Sequence, residues 1–287
     1  MRKNKLVKLL FVLSVTVVFA AVFVLCNNYC ITTTYSTYNT NKIQNNVRII
    51  FVSDLHGKRF GKENKRLCRK ILMRNPDIVV FAGDMAGSDD IEAAAKLAEG
   101  VSKGCRNVYF SFGNHESRFE YEQELIQRME AAGAVTLNNE SVFYKKGKTT
   151  VKITGIALPL YFYSGYDGSG ELIQKLDVQT LNEYLGECDK SVFNVLIAHN
   201  PCYFESYAQW GADMVLSGHN HGGVIRLPYV GALFSPNGDS KNKHYDCGEY
   251  KINESIMYLS RGLGEWAGPV RMFNLPEVYV IDIKSDK

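Results

Sequence analysis

The hydrophobic pattern divides the chain into an apolar N-terminal run, a short polar stretch and a long region of alternating elements. Leu9 to Leu25 is apolar except at Ser14 and Thr16. The run is at the short end of the roughly 17–25 apolar residues that cross a bilayer as a helix. The pattern therefore predicts a transmembrane helix within residues 1–26.

Four basic residues precede this run: Arg2, Lys3, Lys5 and Lys8. By the positive-inside rule they place the N-terminus in the cytoplasm, so we expect the chain after residue 30 to face outward. A cleaved signal peptide has the same basic start and apolar stretch. A retained anchor is favoured, because the stretch exceeds a usual signal core and no clear small-x-small cleavage site follows it. Lipidation of Cys26 is not expected, since Leu25 before it is bulky.

The polar stretch, residues 27–46, is rich in Thr, Asn and Tyr and shows no periodicity. This composition predicts a polar tether between a bilayer and a folded domain. The remaining residues, 47–287, provide the roughly 240 residues that suit one large α/β domain.

Residues 47–133 alternate between short apolar runs and segments with helical spacing. The pattern predicts strands at 47–52, 78–82 and 108–112 and helices at 62–73, 91–101 and 121–132. Such alternation implies a mainly parallel sheet covered by helices. Beyond Gly133 the predicted elements are a helix at 177–185 and strands at 141–145, 150–156, 193–198, 213–217, 257–260 and 278–283.

Composition changes this picture little. The formal net charge is +3, and four basic residues belong to the flank of the apolar run, so nothing argues for a nucleic-acid partner. The cysteines of residues 47–287 are widely spaced and form no CxxC pair, which argues against a zinc knuckle or a dense disulfide framework. We interpret them as small hydrophobic core residues.

Candidate chemistry is concentrated in five short motifs that contain five of the six histidines. They are SDLH at 53–56, GD at 83–84, GNHE at 113–116, AHNP at 198–201 and GHNHGG at 218–223. Each follows a predicted strand, and open α/β sheets bind ligands outside the carboxyl ends of their strands. A lone histidine is more often structural than a ligand, but independent structural histidines have no reason to keep such an order. Oxygen ligands and imidazoles together are what a two-metal hydrolytic centre requires.

The order D-x-H, GD, GNH[ED], H, GHxH resembles the calcineurin-like metallophosphoesterase superfamily, and the resemblance extends from Arg48 to about Ile283. The GHNHGG form and the tail from Ser260 are further similar to a membrane-associated bacterial branch, the YkuE-type phosphoesterases. The resemblance implies an α/β fold, the four-layer α/β/β/α sandwich of metallophosphoesterases. Together with the anchor, it implies a single-pass cell-membrane protein whose catalytic domain is extracytoplasmic.

The resemblance also implies a dinuclear metal centre. Its expected ligands are Asp54, His56 and His221 for one ion, Asn114, His199 and His219 for the other, and Asp84 as the bridge. A carboxylate can bind two cations through its two oxygens, whereas an imidazole offers one nitrogen to one metal, which supports this division. Mn²⁺ is the first expectation, followed by Fe and Zn²⁺, because a mixed oxygen and nitrogen site accepts several divalent ions.

Two further motif residues are expected to be catalytic. His115 resembles the family's non-ligand histidine, which contacts the substrate phosphate and protonates the leaving oxygen. Glu116 stands where the family usually has Asp or Glu, and a carboxylate there can orient a neighbouring imidazole. A hydroxide that bridges the two metals would attack phosphorus in line.

Other residues have competing structural and functional interpretations. Asp89 and Asp90 suit a helix N-terminal cap rather than a ligand site, and His244, outside every motif, is expected in a loop. The aromatic segment 160–166 is either a packed loop or a flexible lip that meets lipid. The tail contains a cluster of four residues, Arg261, Glu265, Trp266 and Arg271. Its arginines either bind a phosphate or form a structural ion pair.

Three functions fit the pattern. The first is a phosphodiesterase or pyrophosphatase acting on a phosphate ester, in particular a lipid-linked one, as UDP-diacylglucosamine hydrolases of the same superfamily do. The second is an extracytoplasmic phosphomonoesterase or protein phosphatase. The third is a non-catalytic metal-binding scaffold, which the complete ligand set and His115 disfavour. A substrate panel separates the first two.

Overall fold

The structure, a computed structural model, describes residues 2–286 except 88–89, 119–120, 168, 170, 224, 228, 234–244 and 266–270. The expectations for Asp89, His244 and Trp266 therefore concern residues outside the described part. The helices are α1 (Arg2–Tyr29), α2 (Lys65–Leu72), α3 (Glu92–Ser102), α4 (Glu122–Ala131), α5 (Val178–Leu185) and α6 (Phe204–Trp210).

The strands of the described residues form two large sheets and one small hairpin. In chain order they are β1 (Thr32–Thr40), β2 (Val47–Val52), β3 (Ile78–Ala82), β4 (Val108–Ser111), β5 (Val135–Thr136), β6 (Glu140–Lys146), β7 (Thr149–Ile156), β8 (Phe193–Ala198), β9 (Met214–Ser217), β10 (Arg226–Leu227), β11 (Gly231–Ala232), β12 (Gly248–Ile252), β13 (Ser255–Leu259) and β14 (Glu277–Ser285). Strands β2, β3 and β8 have the predicted bounds.

The first sheet has the order β1-β14-β2-β3-β4-β5, and the second has the order β12-β13-β9-β8-β7-β6. Strands β2 to β5 are parallel, as are β7, β8, β9 and β13. Antiparallel pairs occur at β14 with β2 and at the outer strands β12 and β6. The mainly parallel character predicted from the alternating pattern is therefore confirmed.

The two sheets pack face to face, and helices cover both outer faces. Alternate residues of β2 point to opposite sides, so Ile49 and Phe51 join the core between the sheets, while Ile50 joins the core under the helices. Leu97 of α3 packs on the outer face of the first sheet, and Tyr207 of α6 packs on that of the second. The architecture is the four-layer α/β/β/α sandwich that the resemblance implied.

Helix α1 is long and apolar enough to cross a membrane. Residues Asn4–Tyr29 contain a window of mean hydropathy 3.0, none of which is buried within the protein. The helix continues past the predicted end at residue 26 to Tyr29. Among the cysteines of residues 47–287, Cys68 and Cys105 are buried, as expected of core residues, whereas Cys188, Cys202 and Cys247 are only partly buried.

Residues 27–46 are not the unstructured tether that their polar composition predicted. Thr32–Thr40 form β1, which pairs in parallel with all nine residues of β14. Its side chains alternate between exposed and partly buried positions from Tyr35 onward, and threonine and tyrosine favour strands. A polar sequence suits this strand because it lies at the edge of the sheet, where one side faces solvent.

The pairing of β1 predicts where a stable soluble domain begins. A chain that starts at Val47 should melt roughly 5–10 °C lower than one that starts at Ile31, because it lacks the buried Ile43 and exposes the edge of β14. An open nine-residue edge should also promote association. Thermal melting and size-exclusion chromatography check both effects, and two monomers with equal melting temperatures would contradict the structural role of β1.

Candidate metal centre

The expected ligands follow the carboxyl ends of five strands. Asp54 and His56 follow β2, Asp84 follows β3, Asn114 follows β4, His199 follows β8, and His219 and His221 follow β9. Because β2, β3 and β4 are parallel, their carboxyl ends share one edge of the first sheet. Strands β8 and β9 are parallel in the second sheet. Sheet packing brings the two edges together.

The side chains form two adjoining clusters, in each of which the ligand atoms lie within 4.8 Å of one another. The first cluster is Asp54, His56 and His221. The second cluster is Asp84, His199 and His219. The first cluster contains the three residues expected for one ion, and the second contains two of those expected for the other, together with Asp84.

Asp84 lies between the two clusters. Its Oδ2 is 3.1 Å from His199 Nε2 in the second cluster and 3.8 Å from His56 Nε2 in the first. Asp54 Oδ1 lies 3.4 Å from His221 Nε2 and 3.6 Å from His199 Nε2. One carboxylate oxygen of each aspartate therefore faces imidazoles from both clusters.

The backbone at the centre is unusual. Five of the seven expected ligands have positive φ angles, which are 53° for Asp54, 48° for His56, 52° for Asp84, 72° for His219 and 51° for His221. Such conformations cost about 1–3 kcal/mol each in residues with a side chain and persist where the surroundings enforce them. The concentration of these costly backbone conformations in one place indicates that these segments serve a function rather than the stability of the fold.

Hydrogen bonds hold the carboxylates and imidazoles in place. The His219 backbone N–H donates to Asp54 Oδ1 at 2.9 Å, and the His115 backbone N–H donates to Asp84 Oδ1 at 2.8 Å. His199 Nδ1 lies 2.7 Å from the Ala82 carbonyl oxygen. That contact requires the proton on Nδ1, so Nε2 points toward Asp84.

Two glycines leave room for the carboxylates. A Cβ atom on Gly113 would lie 2.2 Å from Asp84 Oδ1, and one on Gly218 would lie 2.4 Å from Asp54 Oδ2. Both distances are far below van der Waals contact, so a side chain at either position would displace the carboxylate. The backbone therefore approaches each carboxylate closely at these two positions.

Burial and charge set the protonation of the centre. Burial lowers the pKa of His56 to about 4 and that of His221 well below its usual value. Burial also raises the pKa of Asp54 to about 6. For His199, burial opposes protonation, but the carboxylates of Asp84 and Asp54 outweigh it and raise the pKa to about 10. The carboxylates of Asp84 and Asp54 therefore favour a positive charge at the centre, whereas the imidazoles of His56 and His221 in the first cluster are neutral.

The donor set fits divalent cations. Asn114 Oδ1 is buried without a hydrogen-bond partner among the described residues, and a buried polar atom left in this state is costly unless something binds it. His56 Nε2 and His221 Nε2 face each other at 3.0 Å. Neutral imidazoles, carboxylates and an amide oxygen are the ligands that Mn²⁺, Fe and Zn²⁺ accept.

His115 lies beside the clusters. Its ring packs edge-on against that of His56, with centroids 4.5 Å apart, and one of its nitrogens lies within 4.8 Å of ligand atoms of His56 and Asp84. The side chain is partly exposed, and burial lowers its pKa. An imidazole at the margin of the centre can donate an N–H to a phosphate oxygen.

The Glu116 side chain does not have the role predicted for it. Its Oε1 accepts from the backbone N–H groups of Met85 and Ala86, and its Oε2 accepts from those of Asp84 and Gly113. Burial raises its pKa to about 7, but four donors require the ionised carboxylate. Glu116 therefore joins the loops after β3 and β4 and orients backbone rather than the imidazole of His115.

The tail arginines have structural contacts. Arg261 forms an ion pair with the buried Glu277, at 2.7 Å between Nη2 and Oε1. Arg271 is 3% exposed, and its Nε donates to the Gly264 carbonyl oxygen at 2.9 Å. Glu265 forms an ion pair with Lys58. The contacts of Arg261 and Glu265 favour the ion-pair interpretation, whereas Arg271 contacts backbone carbonyl oxygens and lies 3.5 Å from His221, from Nη2 to Nδ1.

The aromatic segment 160–166 divides between the two readings that its sequence allowed. Phe162 is buried, and the Tyr163 ring lies 5.1 Å from that of His219, so this part packs against the second cluster. Leu160 and Tyr161 are exposed.

The Asp90 side chain caps α3, because its Oδ1 accepts from the Ala93 N–H at 3.2 Å.

Sequence reasoning missed Asn274. Its side-chain amide is fully buried and donates to the carbonyl oxygens of His221 and Gly223, which fixes the loop that carries a ligand of the first cluster. A single asparagine in an aperiodic tail gives no signal of such a contact, since the contact exists only after the chain has folded.

The four-layer sandwich with Asp and His clusters at its strand ends defines a class, the metal-dependent phosphoester hydrolases. The chain belongs to the calcineurin-like phosphoesterase family, whose sequence model matches residues 47–223. Among its relatives, the uncharacterized metallophosphoesterase YkuE of Bacillus subtilis is 28% identical over 253 residues, which span 83% of this chain and 79% of YkuE. This match confirms the superfamily and the branch that the motifs indicated.

Two relatives have named activities. The phosphodiesterase YaeI of Escherichia coli is 26% identical over 249 residues, which span 82% of both chains. The UDP-2,3-diacylglucosamine pyrophosphatase LpxG of Chlamydia trachomatis is 21% identical over 273 residues, which span 81% of this chain and 82% of LpxG.

The contacts of Glu116 predict a loss of function without loss of any expected ligand. In Glu116→Gln, the side-chain NH₂ would face backbone donors, so the loops of Asp84 and Asn114 should shift. We expect metal affinity and turnover to fall about 10–100-fold, as for other partners that orient metal ligands. Titration with Mn²⁺ and steady-state kinetics measure both, with Glu99→Gln on the solvent-facing side of α3 as the matched control. A variant that loses only thermal stability would refute the positioning role.

Proposed function

We propose that this chain is a dinuclear metal-dependent phosphodiesterase or pyrophosphatase that acts at a membrane surface on a lipid-linked phosphate ester. The observation that carries the proposal is the pair of Asp/His clusters that meet at Asp84. A bridging carboxylate between two three-residue clusters suits two cations held a few ångströms apart. Catalytic hydrolysis at phosphorus is the chemistry that such a pair supports.

Some residues of the chain would bind the metal ions, and another would transfer a proton. Asp54, His56 and His221 would hold one cation, and Asn114, His199 and His219 the other. Two divalent cations bound there would supply Lewis acidity to phosphate oxygens and activation of a water. His115, beside both clusters, would bind a phosphate oxygen and give a proton to the leaving oxygen. Mn²⁺ is our first choice of metal.

Relatives and the N-terminal helix support the substrate class. YaeI is named a phosphodiesterase, and LpxG is named a pyrophosphatase of a diacylated sugar nucleotide. Helix α1 has the length and hydropathy of a membrane anchor. The basic residues before it favour a cytoplasmic N-terminus, so the catalytic domain would lie on the outer side of the cell membrane. A lipid-linked ester would lie in the same membrane to which the anchor attaches the catalytic domain.

Hydrolysis of two model esters tests the proposal. The full chain in detergent is stripped of metal and supplied with Mn²⁺, and turnover of bis(p-nitrophenyl) phosphate is compared with that of p-nitrophenyl phosphate. We expect no turnover without metal, restored turnover with it, and preference for the diester. His115→Ala should lower diester turnover about 10²–10⁴-fold, the usual contribution of a general acid, while Mn²⁺ still binds.

Other results would redirect the assignment. Preference for the monoester would indicate a phosphatase, and absence of turnover on both esters with two metals bound would contradict a broad phosphodiesterase. Since His115 is expected not to bind metal, loss of Mn²⁺ in His115→Ala would contradict its role as an acid.

The bridging position of Asp84 makes a separate prediction. Asp84→Asn should lower turnover by at least about 100-fold, because even partners outside the ligand shell of a metal cost about 10–100-fold. Bound Mn²⁺ per chain, measured by elemental analysis, should fall with it, while the melting curve stays cooperative. Asp213→Asn, which removes a partner of Lys42, serves as the control. Full turnover in Asp84→Asn with its metal content unchanged would remove the bridging assignment.

A further inference from the structure

The end of helix α1 packs directly against the loops of the metal centre. The Arg271 backbone N–H donates to the buried Asn28 Oδ1 at 3.2 Å, and the rings of Phe23 and Phe273 form an edge-to-face pair with centroids 5.1 Å apart. On the same helix, the Tyr29 carbonyl oxygen accepts from Arg66 Nη2 at 3.2 Å. Helix and domain therefore share an interface that involves more than their covalent link.

The pair of phenylalanines sets the height of Phe273 along α1. Phe23 lies six residues before the end of the helix at Tyr29, and at about 1.5 Å per residue this is roughly 9 Å. Phe23 also lies within the apolar run Leu9–Leu25. If α1 crosses a bilayer, Phe273 must lie at a depth where apolar residues of the helix contact lipid. Its ring is 53% exposed, so it has apolar surface to offer there.

A short hairpin extends the exposed apolar surface beside Phe273. The Arg226 N–H of β10 donates to the Met272 carbonyl oxygen at 3.0 Å, which places the β10–β11 hairpin next to the residue before Phe273. The hairpin exposes Leu227, Tyr229 and Val230, and Tyr229 makes almost no contact with the domain. We call Leu227, Tyr229, Val230 and Phe273 the apolar rim.

Backbone strain presents two of these side chains outward. Phe273 has a φ of 54° and Tyr229 a φ of 65°. A positive φ in a bulky aromatic residue is a genuine outlier, and it costs about 1–3 kcal/mol. Neither ring recovers that cost by burial within the domain, since both are exposed. The strain is consistent with a role for the rings outside the domain.

We propose that the apolar rim inserts into the outer leaflet of the same phospholipid bilayer that α1 spans. A bilayer is the partner that fits because the rim continues the lipid-facing surface of α1 through Phe23 and Phe273. Tyrosine and phenylalanine at such a depth match the aromatic residues that anchor proteins at membrane interfaces. No described hydrogen bond or ring contact joins the exposed Phe143 of β6 to the anchor or to the rim.

Insertion of the rim would bring the metal centre close to the lipid headgroups. Asn274, the neighbour of Phe273, donates to the carbonyl oxygen of His221 at 2.7 Å. One residue thus separates a membrane-inserted ring from the backbone of a ligand in the first cluster. This consequence rests on the proposed function: a phosphate ester of a lipid could reach the centre without leaving the leaflet.

Depth-dependent fluorescence quenching tests the insertion. Three variants of the full chain are compared: Phe273→Trp, Tyr229→Trp and, as the control, Phe143→Trp on β6. Each is placed in phosphatidylcholine vesicles whose acyl chains do or do not carry bromine near the headgroup. The unmodified chain contains two tryptophans, so the fluorescence of the added indole is obtained by subtracting the fluorescence of the unmodified chain from that of the variant. We expect brominated lipid to remove half or more of the signal at positions 273 and 229 and to leave that at 143 unchanged.

Unchanged fluorescence at 273 and 229 would overturn the proposal, as would equal quenching at all three positions. Circular dichroism of each variant verifies that the fold persists. Diester hydrolysis is measured on the same samples. Absent turnover would count against the proposed function alone, whereas absent quenching in an active enzyme would count against the rim alone.

Discussion

The structure depends on holding two buried carboxylates next to each other. Asp54 and Asp84 are almost fully buried, and both approach His199 Nε2, at 3.6 Å and 3.1 Å. Charges in such a site repel unless donors and cations offset them. Backbone amides donate to both, and Gly113 and Gly218 leave them space. Glu116 adds a third carboxylate that only orders the loops, which increases the demand for positive charge. The centre is therefore built for cations.

The sequence predicted those parts of the fold in which local pattern and burial agree. Strand β3 is a continuous apolar run, and β2 and β8 are apolar except at Arg48 and Asn194, because both faces of these strands are covered, so their bounds could be read directly. The candidate ligands could be named from the sequence because ligand-binding residues of open α/β sheets lie where such strands end. Strand β1 was missed because its partner, β14, lies more than two hundred residues away. The backbone contacts of Glu116 depend on tertiary structure in the same way, so its motif indicated its importance but not its partners.

Contacts between the two ends of the chain replace the tether that composition predicted. Only Cys30 and Ile31 separate α1 from β1, and the Thr32 N–H donates to the Pro276 carbonyl oxygen at 2.7 Å. Glu277, at the start of β14, accepts from Thr34 and pairs with Arg261. The last turn of α1 is thus continuous with the sheet whose strands carry the metal ligands. An anchor connected in this way restricts the orientation of the domain, whereas a flexible tether would leave it free.

A restricted orientation changes how specificity can arise. A flexibly tethered site samples a range of heights above a bilayer and gains only the local concentration that the tether provides. A site attached through Asn28 and Arg271 has one height, so a substrate must present its phosphate at that height to reach both clusters. Lipids that carry the ester close to the leaflet would then be favoured by geometry, even if the pocket contributed little affinity. If the chain acts on a lipid-linked ester as proposed, the anchor takes part in substrate recognition, and exchanging α1 for another apolar helix would preserve attachment but not selectivity.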